Sequence, residues 1–350
     1  MDKNNYYENR NIKLAFKLQE LLADLPLFCR EFFVGIENTT SALTKINYAY
    51  DLRIFFDYLL QNKFYGKTIR TLTIKDLEEV EALDIEYFIS SLTAYKSSDN
   101  TIKTNKECAK SRKLAAIRTM FKYFFNKDKL SKNISTKVSM PKKREKEIVR
   151  LSPEEVEELL NIVYSGESLT ARQKNFHRLT RDRDVAIVSL MLGTGIRISE
   201  LVGLNLNDIN LTKNLFKVTR KGGNEAVLYF SDEVRRYLYP YIENRKRNTK
   251  VKPNENALFL SLKNTRISPR TIEDLVAKYT ANLTTLKKIT PHKFRSTFGT
   301  LLYRNTKDIY IVADILGHKD VNTTKKHYAA IDEDMRKVVR NVVKLKKDEN

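Results

Sequence analysis

The sequence predicts a mostly α two-domain protein: a helical bundle over residues 1–140, then an α+β domain over 151–350 carrying a small antiparallel hairpin. Three observations lead there. Apolar residues recur at steps of three and four through most of the amino-terminal part, as in helices with one buried face. "MPKKREKEIVR", Met140 to Arg150, breaks that pattern with a proline and a charge cluster, so residues 141–150 read as a linker. Beyond it, helical segments flank one pair of short apolar runs about a glycine turn, "LFKVTRKGGNEAVLYF".

The elements follow in order. "NIKLAFKLQELLADLPLFCREFFVGI" reads as helix on both sides of Pro26, an extension suited to packing on a neighbouring subunit. Ala42, Ile46, Ala49, Leu52, Phe56 and Leu59 predict a helix from about Ser41 to Leu60. A further helix is predicted from about Thr101 to Phe125, with Leu114, Ile117, Phe121 and Phe124 as its apolar stripe. Lys103, Lys106, Lys110 and Lys113 form a basic stripe at the same steps. Four ammonium groups down one face suit a phosphate backbone, and equally suit an ordinary solvated surface. The second domain opens at "LSPEEVEELL", where Ser152 can cap, Pro153 fits the first helical position and Glu155 completes a capping box. "DVAIVSLMLGTGIRISELVGL" predicts a buried helix, a glycine turn at Gly193 to Gly195 and a short helix carrying Arg197. Strands are predicted at Leu215–Thr219 and Ala226–Phe230 around Gly222 and Gly223, then helices from about Ser231, Ser268 and Pro291. Ile309, Val312 and Ile315 pack a helix that Gly317 can end, and Asn322 or Thr323 can start the helix bearing Tyr328. Ile331, Met335, Val338, Val342 and Leu345 share a last helical face, which either caps its own domain or docks elsewhere.

Lys and Arg outnumber Asp and Glu by 64 to 43, a net charge of +21, and that surplus points to a polyanionic partner rather than an acidic or apolar one. A lysine-biased proteome with solvated basic faces is the competing explanation. No apolar run reaches the ~18 residues of a membrane span, and "MDKNNYYENR" lacks a signal-peptide pattern, so a cytoplasmic location is expected. Cys29 and Cys108 are too few for a disulfide framework and lack metal-ligand spacing; both are expected in the core.

Several residues can carry chemistry. His292 and Arg295 lie three apart in the first turn of the helix at Pro291, whose backbone N–H groups and dipole favour phosphate. Arg197 follows glycines that permit close approach, its planar fork can hold two phosphate oxygens, and Glu200 can pin it. Lys221 at a hairpin tip can donate a proton to a leaving oxygen. Taken singly, each is as well explained as a surface residue. His318, His327 and Tyr328 gather near the carboxyl end, where a phenol becomes a nucleophile once cationic neighbours favour its phenolate. A zinc site of His292, His318 and His327 is the rival constellation, weakened by the lack of a close two-histidine or cysteine pair.

In order and approximate spacing, Arg197 in "GTGIRISEL", Lys221 in the hairpin turn, "HKFR" at His292–Arg295, "LGH" ending at His318, and Tyr328 resemble the tyrosine recombinase (phage integrase) family. Within it the chain looks most like the Xer-type chromosome-resolving enzymes. The motifs cover about residues 150–335; the amino-terminal half resembles the family's SAM-like core-binding domain only in being helical, basic and joined by a linker. One departure stands out. In the commonest Xer pattern the tyrosine is ninth after the histidine of LGH, whereas here His327 takes that place and Tyr328 is tenth.

The resemblance implies site-specific DNA recombination through a 3′-phosphotyrosine at Tyr328 and a Holliday junction, without metal or cofactor. It makes Arg197 and Arg295 the clamp on the scissile phosphate and Lys221 the acid for the departing 5′-oxygen. His292 would bond the phosphate or take the tyrosine proton, His318 would bond a non-bridging oxygen, and Glu200 would support Arg197. The implied partners are double-stranded DNA with paired half-sites, three further copies of the chain in a tetramer joined by the carboxy-terminal helix, and a DNA translocase or accessory regulator. The implied setting is the nucleoid, in chromosome partition at cell division. Rival expectations are a mobile-element integrase, a type IB-like topoisomerase and a non-catalytic architectural DNA-binding protein.

Overall fold

The computed structural model describes residues 5–96, 101–142, 149–220, 223–281, 283, 288–318 and 320–321. The chain forms two compact units, residues 1–146 and 147–350.

In the first unit, α1 (Asn5–Leu22) and α2 (Cys29–Gly35) stand on either side of Pro26. α1 packs on α3 (Ala42–Asn62), placing Leu14, Leu18, Leu21 and Leu22 on the core of its own unit. Ser41 starts α3 by accepting a 3.3 Å bond from the Thr44 backbone. Two shorter helices follow, α4 (Ile74–Glu78) and α5 (Ala82–Ser91). The core is rich in phenylalanine: Phe28 meets Phe56 and Phe124 edge-on at 5.8 and 5.6 Å, and Phe55 meets Phe88 at 5.1 Å. Such pairs add about 0.5–1.5 kcal/mol each beyond area burial.

The helix expected from Thr101 begins only at Glu107. Tyr95–Lys96 (β1) and Ile102–Lys103 (β2) pair antiparallel, and α6 spans Glu107–Phe125. Thr101, Ile102, Thr104 and Asn105 are poor helix formers, and Asn105 bonds instead to the Leu92 carbonyl at 3.1 Å. The four lysines therefore do not form one helical stripe: Lys103 lies on β2 and Lys106 is the cap of α6, both exposed. Lys110 donates to Thr93 Oγ1 at 2.7 Å.

Lys113 is turned inward, 5 % exposed, with Nζ 3.4 Å from Asp51 Oδ1 and bonded to Asn105 Oδ1 at 3.2 Å. It precedes Ile117 by one turn and so shares the core-facing side of α6. Arg112 Nη1 completes the group, 2.7 Å from Asp51 Oδ2. Lys113→Ala is expected to lower stability by about 3 kcal/mol, because it leaves the buried Asp51 carboxylate undercompensated. A shifted denaturant midpoint is the measurement, and an unshifted one tells against the buried pair. Of the two cysteines, Cys29 is buried as expected but Cys108 is exposed. In the first turn of α6 it lies opposite the Leu114, Ile117 and Phe121 stripe.

The second unit begins with α7 (Pro153–Ser165), started by reciprocal bonds between Ser152 and Glu155 of 3.2 and 2.8 Å. α8 (Ala171–Thr194) is central, buried from Val185 to Leu192, and packs against α7, α10 (Asp232–Arg247) and α12 (Pro291–Thr306). α9 (Ile198–Gly203) leads into a sheet of order β3-β4-β5, formed by Ile209–Asn210, Leu215–Thr219 and Glu225–Tyr229, all antiparallel, with Lys217 opposite Val227. Strand β3 was not expected; two residues are too few to show a period. Ser231 and Ser268 cap α10 and α11 (Pro269–Thr280) with bonds of 3.3 and 3.1 Å. The buried Asp184 carboxylate ties α8 to α11, accepting from Tyr279 Oη at 2.8 Å and Lys278 Nζ at 3.1 Å. Burial, then the Asp184 charge, push the Tyr279 phenol above its ordinary range. The last described helix is α13 (Ile309–Leu316). Among the described residues no helix is long and apolar enough to cross a membrane.

Candidate active site

α8 ends at Gly195, whose φ of +62° is left-handed. A Cβ there would fall 2.5 Å from Phe298 Cδ1 and 2.9 Å from Leu316 Cδ2, so only glycine lets α12 and α13 come this close. Gly193, expected to share the turn, lies inside α8. The chain then places Arg197 at the cap of α9, one position before the helix expected to carry it. Its backbone N donates to Glu200 Oε2 at 3.0 Å and its Nη1 to Glu200 Oε1 at 2.7 Å. Glu200 is buried, so this carboxylate fixes both the main chain and the guanidinium of Arg197.

On α12, Pro291 occupies the first position and His292 is exposed. One turn on, Arg295 is buried, and its Nη1 donates to Gly195 O at 2.6 Å. Its Nη2 donates to Leu316 O. α13 closes in a Schellman motif: Gly317 at φ +61° donates to Asp314 O at 2.8 Å, and His318 N reaches back to Ala313 O at 2.9 Å. Arg197 Nη2 takes the next carbonyl, Gly317 O, at 3.0 Å. From the end of β4, Arg220 donates to Asp314 O at 3.2 Å and Ile315 O at 2.8 Å. Four successive carbonyls, Asp314 to Gly317, thus each accept from a guanidinium. The last carbonyls of a helix lack intrahelical partners and carry the negative dipole end, which is why cations collect there.

These contacts gather three guanidiniums but one carboxylate, Glu200, which bonds Arg197, and so the locus is cationic. Arg197 stays 30 % exposed, open enough to meet a ligand. Planar forks fixed in this way can hold the non-bridging oxygens of a phosphate diester and stabilise charge developing on them. The fold brings Arg197, Glu200 and Arg295 together and sets half-buried His318 directly after the adjacent carbonyls that the two arginines take. Lys221, His327, Tyr328 and the carboxy-terminal helical face from Ile331 lie outside the described residues. Arg220 escaped the sequence reading; an arginine beside a turn lysine gives no sign that it will turn toward a helix nearly a hundred residues away.

The Phage integrase family matches residues 149–335, a span that holds all three arginines. Tyrosine recombinase XerC of Caldanaerobacter subterraneus subsp. tengcongensis is 32 % identical over 305 residues, 83 % of this chain and 79 % of the relative. Tyrosine recombinase XerS of Streptococcus thermophilus (strain CNRZ 1066) is 28 % identical over an alignment of 357 residues, 94 % of this chain and 99 % of the relative. In fold, the XerH site-specific recombinase bound to palindromic difH substrate is similar at a TM-score of 0.65 and 18 % identity, covering 86 % of this chain and 80 % of that one. The Tn1549 transposon integrase bound to transposon right end DNA follows at 0.61 and 19 %, covering 90 % and 99 %. A family match over more than half the chain and a relative above 30 % identity make this chain a member of the phage integrase family, a tyrosine recombinase of site-specific recombination.

Proposed function

We propose that this recombinase cuts and rejoins double-stranded DNA at paired half-sites through a 3′-phosphotyrosine at Tyr328, and that its cellular task is to resolve chromosome dimers. The observation that carries the chemistry is the convergence of Arg197 and Arg295, from α9 and α12, on consecutive carbonyls directly before His318. The two arginines clamp the scissile phosphate, with Glu200 holding Arg197, and His318 bonds a non-bridging oxygen. Tyr328 Oη attacks phosphorus as the bond to the 5′-oxygen breaks. Its proton passes to His292, and Lys221 protonates the departing oxygen. The 5′-hydroxyl of a partner duplex then reverses the step, exchanging strands through a Holliday junction. Covalent capture keeps the phosphodiester bond energy, so the cycle runs without ATP.

The amino-terminal unit grips the duplex, with Lys103, Lys106 and Lys110 along the phosphates; Lys113 is held by Asp51 instead. Four copies act together through the carboxy-terminal segment. The chromosomal task is favoured by similarity to XerS along nearly the whole chain. Mapping bound DNA in cells tests it: one locus near the replication terminus supports resolution, and the ends of an inserted element overturn it in favour of integration.

Lys221→Ala should slow cleavage of ordinary DNA on the order of 100-fold. A substrate with a 5′-thiol leaving group, which needs no proton, should restore the rate. Failure of that rescue removes Lys221 as the acid.

A further inference from the structure

We propose that Arg220 is a positioning residue for this reaction, fixing the end of α13 on which Arg197 and Arg295 close and from which His318 emerges. The role rests on the phosphate contacts proposed above for those three residues.

Arg220 is itself held firmly. Its backbone N donates to Asn224 O at 2.7 Å and its carbonyl accepts from Gly223 N at 3.1 Å, closing the hairpin end of β4 on both sides. From this base the guanidinium reaches two carbonyls of the last turn of α13, Asp314 O at 3.2 Å and Ile315 O at 2.8 Å. It also lies against Gly317: a Cβ there would come within 2.2 Å of Nη1 and 2.6 Å of Cζ. Glycine at 317 suits its left-handed φ of +61° and leaves the guanidinium room to lie against the backbone.

α13 needs such a hold. It has eight residues, and its buried side chains Val312 and Leu316 pack on Phe298, Leu302, Tyr303 and Ile309, mainly from α12. Beyond that packing and the backbone bonds of its cap, the described side-chain bonds to the carbonyls at its end come from Arg197, Arg295 and Arg220. Two of those guanidiniums are assigned to the scissile phosphate. As they turn donors toward it, the third keeps the Gly317–His318 cap in register. Arg220 suits direction better than bulk stability, because its Nε is buried without a hydrogen-bond partner. A lysine at 220 would leave no such orphan donor, but a point charge cannot fork across two carbonyls.

The test is a double-mutant cycle with His318, read as single-turnover cleavage at saturating DNA alongside the DNA dissociation constant. Arg220→Ala should cut on the order of 10- to 100-fold more slowly, the range of a small misplacement of a catalytic group, with DNA affinity unchanged. In the His318→Ala background the same substitution should slow cutting less than about twofold, because residues acting as one unit are not additive. Arg220→Lys should fall between Arg220→Ala and the parent. Wild-type cutting by Arg220→Ala while His318→Ala is slow overturns the proposal, and so do effects that multiply. Wild-type cutting by His318→Ala instead removes the phosphate contact of His318 and this role with it. If Arg220→Ala shows no cooperative melting transition, Arg220→Lys passes through the same cycle under the same criteria.

Discussion

Tyr328→Phe is expected to bind DNA as the parent does and to form no covalent adduct on a nicked suicide substrate, where the parent accumulates one. The loss is total in kind, because the substitution deletes the oxygen proposed to form the bond to phosphorus; a residual cleavage rate below about 10⁻⁴ of the parent is the scale expected for loss of a nucleophile. An ordinary phenol titrates near pH ~10 and is a weak nucleophile at neutral pH. The cationic locus around Arg197 and Arg295 is what would favour its phenolate. A denaturing gel of the trapped complex, followed by peptide mapping, reads the result. An adduct of normal yield in the variant, or attachment at another residue, removes the assignment. His327, ninth after His318 where the commonest Xer pattern has its tyrosine, makes the mapping informative either way.

Arg295→Ala should fail on two counts at once. Cleavage should fall on the order of 10²–10³-fold, the effect of removing one donor from a charge-stabilising site. Stability should fall by roughly 2–5 kcal/mol, because Gly195 O and Leu316 O lose their shared donor in a buried setting. Arg295→Lys separates the effects. It keeps the charge and can reach one carbonyl, so much of the melting temperature should return. The rate should stay at least about 10-fold down, because a point ammonium cannot bridge α8 and α13 while facing a phosphate. Cleavage at the parent rate by Arg295→Lys would show that only charge matters there.

The features legible in the sequence are those whose causes are local. Ser152, Pro153 and Glu155 announce α7 because a capping box closes within one turn. The β4–β5 pair is announced by its two glycines and the apolar runs beside them. A local spacing can also carry two meanings. Lys113 sits one turn before Ile117, so the same three-and-four spacing that suggests a basic stripe also puts it on the core side. What could not be read is the meeting of distant segments. A hundred residues separate Arg295 from Gly195, and no period links them. The ordered set of Arg197, "HKFR" and "LGH" pointed to a family without showing that α13's last carbonyls are where the arginines converge. Arg220 shows the limit most clearly, since its importance lies wholly in a helix end supplied by another part of the chain.

Every bond described in the arginine cluster joins residues between Gly195 and His318, all inside the 147–350 unit. The guanidiniums, the carboxylate and the carbonyls of the cluster are thus all supplied by one compact unit of the chain.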